Sequence, residues 1–178
     1  MPTGNNEALK ALTIALKLEK DGYQFYIKAS KKTKNLLGKE MFKSIAEEEK
    51  KHIERIQNIY GGLKKSKEWP ETSKKAEGEK KSVKFETIFN KVNNDIKKSL
   101  EIDPGDIEAI KIAKEMEIKG YKFYQERSEK AESLFEKEFY QVLVKEESNH
   151  YEVLENTYEY LSNPSDWFSK KERPIYEG

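Results

Sequence analysis

Apolar residues recur along this chain in steps of three and four, the spacing that places them on one face of an α-helix. Ala8, Leu12, Ala15, Gly22 and Tyr26 form one such seam, with Glu19 inside it, and the pattern ends near Asn35 to Gly38. A second seam runs Phe42, Ile45, Glu49, His52, Ile56, Ile59 and is predicted to stop at Gly61-Gly62, a glycine pair of the kind that ends helices. A third opens with Asp103 as N-cap and Pro104 at the first helical position, then reads Ile110, Ala113, Glu117, Gly120, Tyr124. A fourth reads Tyr140, Leu143, Glu147, His150, Leu154, Tyr158 and is closed by Asn163-Pro164. The pattern predicts four long helices, each with one buried stripe.

These helices are two copies of one unit. Shifting the sequence by 98 residues aligns 8–60 with 106–158 without an insertion. Ala15 meets Ala113, Gly22-Tyr23-x-Phe25-Tyr26 meets Gly120-Tyr121-x-Phe123-Tyr124, and Tyr60 meets Tyr158. A duplicated helical hairpin, each copy burying its stripe against the other, is the simplest reading. The expected organisation is one all-α domain over 1–178: hairpin one at about 7–62, a crossover at about 63–103, hairpin two at about 104–162 and a tail at 163–178. A crossover of that length is what a ferritin-like four-helix bundle requires and an up-down-up-down bundle does not. Its first part, Lys64 to Ser82, holds seven Lys against four Glu and is expected to be solvated and mobile. Phe85, Ile88, Phe89, Val92, Ile96 and Leu100 are spaced as a short extra helix packing outside the bundle. The tail, with Trp167, Phe168 and Tyr176, reads as a surface strap too short for a full fifth helix.

Composition narrows the partners. The 34 basic and 33 acidic side chains nearly cancel, so neither nucleic acid nor an anionic membrane is the expected partner. The lysine pairs Lys31-Lys32, Lys50-Lys51 and Lys80-Lys81 have acids interleaved and no aromatic platform, the pattern of a solvated face. No run of 18 apolar residues spans a bilayer and Met1 to Leu12 holds no apolar signal core, so a cytoplasmic location is expected. The chain has no cysteine, which excludes disulfides, zinc ribbons, iron–sulfur clusters and rubredoxin-type iron from it. Any metal must therefore use oxygen and imidazole donors.

The duplication supplies those donors. The only two histidines each follow a glutamate by three residues and another by 33, giving Glu19…Glu49-x-x-His52 and Glu117…Glu147-x-x-His150. Positions three apart differ by about 60° around a helix, so each Glu-x-x-His pair offers an oxygen and a nitrogen to one point. In so acidic a chain a single such pair is ordinary coincidence. Two, in register with a second Glu and all on core seams, predict a site for two metal ions in the bundle core. Four carboxylates balance two divalent ions, whereas four bare buried carboxylates would be very costly. The donor set suits iron or manganese.

Neighbouring residues carry competing roles. Glu48 and Glu146 lie one position off the seam and are expected on the surface or behind the ligands. Tyr26 and Tyr124 follow the lone glutamates by two turns, where they serve core packing or hydrogen-bond a ligating carboxylate from behind. Gly22 and Gly120 cost about 1 kcal/mol each inside helices, which points to close helix approach or to space for a small oxidant. Tyr23 and Tyr121 read as packing.

These features resemble the rubrerythrin family of the ferritin-like superfamily, in its short form without a rubredoxin domain. The resemblance covers Glu7 to Leu161 and rests on the paired Glu…Glu-x-x-His sets and the repeated Gly-Tyr-x-Phe-Tyr. It implies two iron ions per chain held by Glu19, Glu49, His52, Glu117, Glu147 and His150, with Glu49 and Glu147 as bridges. It also implies reduction of hydrogen peroxide or dioxygen with electrons from an external rubredoxin-like protein or reductase; iron binding, ferroxidase action or storage is the alternative. Full rubrerythrins carry a further glutamate one turn after the lone Glu of the second half, where this chain has Gly120. Without cysteine the chain also lacks their built-in electron donor. The long crossover would let hairpins exchange between two chains, so a homodimer is allowed.

Overall fold

The structure is a computed structural model that describes residues 3–69, 82–96 and 103–171. Its order is α1 (Thr3–Lys32), α2 (Leu36–Ser66), α3 (Phe85–Ile96), α4 (Pro104–Lys130), α5 (Leu134–Ser162) and α6 (Pro164–Lys171). Among the described residues there is no strand. The all-α class and the two hairpins, α1 with α2 and α4 with α5, are as the periodicity predicts.

Local chemistry turns each hairpin. Asn35 caps α2 by accepting from the Gly38 N–H at 3.1 Å, and its own N–H donates to Asp106 in the first turn of α4 at 3.2 Å. Asp103 caps α4 by accepting from the Gly105 N–H, with Pro104 next, where a missing N–H costs nothing. Ser133 caps α5 through the Glu136 N–H.

The end of α2 departs from the sequence expectation. The helix runs past Gly61-Gly62 to Ser66 and stops at Lys67, which takes the left-handed conformation (φ 61°) and donates its N–H to the Leu63 carbonyl. Leu63 explains the difference, because it continues the Ile56, Ile59 stripe and is fully buried. Burying a leucine is worth about 1.5–3 kcal/mol, enough to offset two interior glycines at about 1 kcal/mol each.

The buried stripes pack into two apolar clusters. One holds Leu12, Ile56, Ile59, Leu63, Tyr124, Phe139, Tyr140 and Leu143; the other holds Tyr26, Met41, Phe42, Ile45, Ile110, Val153 and Leu154. The second also receives Phe85, Ile88 and Val92 from α3 and Trp167 from α6. α3 packs outside α2 and α5 as its amphipathic spacing predicts, Phe89 meeting Tyr160 and Trp167 at ring-centroid distances of 5.4 and 5.1 Å. The strap expected in the tail begins as a helix of about two turns anchored by Trp167. Most of the lysine-rich crossover (70–81), together with Leu100 and Tyr176, lies outside the described residues. No helix among the described residues is long and apolar enough to cross a membrane.

Candidate metal centre

All six predicted donors converge at the middle of the bundle. Glu19 comes from α1, Glu49 and His52 from α2, Glu117 from α4, Glu147 and His150 from α5, and each is at most 4% exposed. His52 Nδ1 lies 3.1 Å from Glu19 Oε2, 3.6 Å from Glu49 Oε2 and 3.8 Å from Glu147 Oε1. His150 Nδ1 lies 3.5 Å from both Glu49 Oε1 and Glu117 Oε2. Two four-residue groups result, Glu19, Glu49, His52, Glu147 and Glu49, Glu117, Glu147, His150, each with donor atoms within 4.8 Å of one another. Glu49 and Glu147 belong to both. The imidazoles stack between the groups at 5.4 Å and 17°.

The hairpins tie each other's donors in place. The Tyr26 hydroxyl donates to Glu117 Oε1 and the Tyr124 hydroxyl to Glu19 Oε1, so each phenol serves the lone glutamate of the other hairpin. This crossing shows that α1 and α4 run antiparallel. Glu48 and Glu146 also cross over. Glu48 Oε2 meets His150 Nε2 at 2.8 Å, and Glu146 Oε2 meets His52 Nε2 at 3.2 Å. Both glutamates are buried, which removes the surface position considered for them: one residue off the seam turns a side chain about 100°, here toward the facing helix instead of solvent. Arg55, Val83 and Asn149 were not legible as part of this cluster. Arg55 binds Glu146, while the Val83 backbone joins Glu48 to Asn149. Only the placement of Arg55 one turn after His52 hinted at it.

Electrostatics describe how the cluster balances charge without an ion. Burial alone would raise Glu19, yet the His52 imidazolium pulls it down to about 2. Burial and the Glu19 carboxylate push Glu49 up to about 8, and burial with Glu117 raises Glu147 well above the carboxylate range. Burial opposes charge on the imidazoles, but Glu19 and Glu117 overcome it and hold His52 and His150 well above the usual histidine range. Burial and the facing glutamates keep both phenols protonated, far above the normal tyrosine range. Protons thus occupy the inner faces of the site, where cations would displace them.

Three buried donor atoms support that exchange. Glu117 Oε2, Glu147 Oε1 and His150 Nδ1 are shut off from solvent without a hydrogen-bond partner, the nearest imidazole–carboxylate approaches being too long. Each such group costs about 1–3 kcal/mol unless something binds it. All three face the shared interior, so the residues present fit a pair of divalent ions. A cavity of about 210 Å³ opens beside them between α1 and α4, lined by Glu19, Gly22, Tyr26, Glu49, Glu117, Gly120 and Glu147, with Leu18 and Met116 alongside. Gly120 is needed for this arrangement, since a Cβ there would stand 2.6 Å from Glu147 Oε2.

A family model described as Rubrerythrin matches residues 10–158. No curated protein and no solved structure matched the chain.

Proposed function

Because the chain belongs to the rubrerythrin family, we propose that its buried cluster holds two iron ions and that the protein reduces hydrogen peroxide or dioxygen with electrons from an external donor. The observation that carries this reading is the pair of donor groups sharing Glu49 and Glu147 beside a small cavity. Glu19, Glu49, His52 and Glu147 would hold one ion, and Glu49, Glu117, Glu147 and His150 the other. Bound ferrous iron supplies one electron per ion, so that a pair converts one hydrogen peroxide and two protons to two waters.

The chain's own residues prepare the site for that chemistry. Tyr26 and Tyr124 stay protonated and donate hydrogen bonds to Glu117 and Glu19 respectively, so each carboxylate presents one oriented oxygen inward. The apolar clusters on both sides bury the carboxylates, and Gly22 and Gly120 leave room where side chains would fill the cavity. A cavity of about 210 Å³ has room for dioxygen or hydrogen peroxide beside the carboxylates. Electrons must come from outside the described centre, because the chain has no cysteine with which to build a thiolate iron site. A rubredoxin-like protein or a reductase fits that role, and a cytoplasmic setting keeps such carriers reduced.

The test is to load the chain anaerobically with two ferrous ions and mix it with one equivalent of hydrogen peroxide. Loss of two ferrous ions per peroxide is expected. Ferrous iron that persists for minutes with two ions bound would refute the peroxidase reading, and retention of many more than two irons per chain would indicate storage instead.

A further inference from the structure

Both hairpins supply the same three residue types to the six inner donors, and they differ most in the layer behind them. Each imidazole turns Nδ1 toward the shared interior and Nε2 toward a carboxylate of the other hairpin. A carboxylate accepting from Nε2–H fixes the tautomer and raises the basicity of Nδ1. Behind Glu146 stands Arg55, with Nη2 2.5 Å from Oε2 and Nη1 3.4 Å from Oε1, its side chain 15% exposed. Among the described residues no guanidinium stands behind Glu48. Its Oε1 accepts the Val83 N–H at 2.7 Å, and the Val83 carbonyl accepts from Asn149 Nδ2 at 2.7 Å. The position that matches Arg55 in the second copy is Val153, buried in the apolar cluster beside α3. The crossover is thus docked where the first hairpin keeps a guanidinium.

We propose that Arg55 and the Val83 backbone are positioning groups that make the two metal positions unequal, the His150 position binding its ion more tightly than the His52 position. This inference rests on the metal-centre reading. A guanidinium gripping Glu146 draws charge from that carboxylate in a charge-assisted pair, so Glu146 supports His52 weakly. A backbone dipole leaves Glu48 close to a full anion, so His150 is the stronger donor. The crossover also acquires a role, because Val83 holds Glu48 against His150 and Asn149 holds Val83 in turn.

Anaerobic titration of the metal-free full chain with cobalt(II), followed by its visible bands, separates the two uptake steps. Two steps at least about tenfold apart in affinity are expected, the scale on which partners behind a ligand act. Arg55→Met should strengthen the weaker step and bring the two within about threefold, while Arg55→Lys, which keeps the charge, should hold them apart. Glu48→Gln should weaken the tighter step by about 10- to 100-fold, and it decides the matter should Arg55→Met fail to fold. Mössbauer spectra of the reduced iron-57 protein give a second readout: two doublets in the parent chain, converging in Arg55→Met and distinct in Arg55→Lys. Two bound ions with equal affinities in the parent chain would overturn this inference alone, as would a gap unchanged in both Arg55→Met and Glu48→Gln. Uptake of fewer than two ions would overturn the metal-centre reading beneath it.

Discussion

Gly22 and Gly120 occupy matching places in the two copies, yet alanine should act on them differently. A Cβ at Gly22 would find its nearest neighbour, the Glu49 carboxyl, at 3.7 Å, an ordinary contact. At Gly120 it would stand 2.6 Å from Glu147 Oε2 and 3.1 Å from its Cδ. Both substitutions remove an interior helix glycine and should gain about 0.5–1 kcal/mol from that alone. For Gly22→Ala nothing opposes the gain, so the metal-free melting temperature should rise by roughly 1–4 °C for a chain of this size. For Gly120→Ala the Glu147 carboxylate must retreat from 2.6 Å to the 3.4 Å where ordinary contact begins, a shift of about 0.8 Å. The obstacle is the end of a side chain and not backbone, so the fold absorbs the change by rotating Glu147. The loss falls on the donor shared by both groups. Gly120→Ala should therefore melt within about 1 kcal/mol of the parent chain but bind cobalt(II) or iron(II) at least about tenfold more weakly. Calorimetric titration beside thermal melts measures both quantities. Equal metal affinities in the parent chain and Gly120→Ala, or an equal loss in Gly22→Ala, would refute the reasoning.

Metal-free stability should peak near pH 4.5 and fall on either side, because Glu49 and Glu147, held high, lose their contribution as pH rises above their unfolded value of 4.5. Glu19 and Glu146, both held near 2, contribute above their unfolded value of 4.5 and lose that contribution as pH falls, whereas His52 and His150, held high, contribute fully below 6.5 and lose it as pH rises. Glu49, raised to about 8, adds to the alkaline decline, so a melting temperature that stays flat or climbs from pH 6 to 9 would contradict this account. Adding iron(II) or cobalt(II) at neutral pH should release protons into a weakly buffered solution and raise the melting point, each site stabilising the fold by about 4 kcal/mol at a thousandfold excess over Kd. Tyr26→Phe should cost roughly 1.5–3 kcal/mol in a denaturant melt, since it strips Glu117 of its one hydrogen bond to a phenol; an unchanged midpoint would show that Glu117 does not depend on it. Leu63→Ala should cost about 2–5 kcal/mol in a denaturant melt because α2 continues past its glycine pair and buries this side chain; an unchanged midpoint would refute that account.

Much of this centre is legible along the chain because its rules are local. A 3.6-residue period places Glu49 with His52 and Glu147 with His150 wherever the helices end up, and the 98-residue repeat sets the two copies in register. The end of α2 was less legible. Gly61-Gly62 is a local stop signal, and what overrides it is burial of Leu63, a fact about the rest of the fold. Glu48 and Glu146 pose the same difficulty. A side chain one step off a seam faces either solvent or the next helix, and periodicity cannot say which.

The sequence by itself determined the helices, the duplication and the six inner carboxylate and imidazole groups, since each follows from spacing within a helix or from counting. Tertiary structure alone decided which hairpin serves which donor: Tyr26 reaches Glu117, Tyr124 reaches Glu19, and Glu48 and Glu146 reach across to His150 and His52. It also decided that Gly120 stands against Glu147 and that Arg55 backs one imidazole while Val83 backs the other. Those are contacts between residues 27 to 105 positions apart in the chain, set by how helices pack within and between the hairpins and where the crossover docks, and no local period encodes that packing.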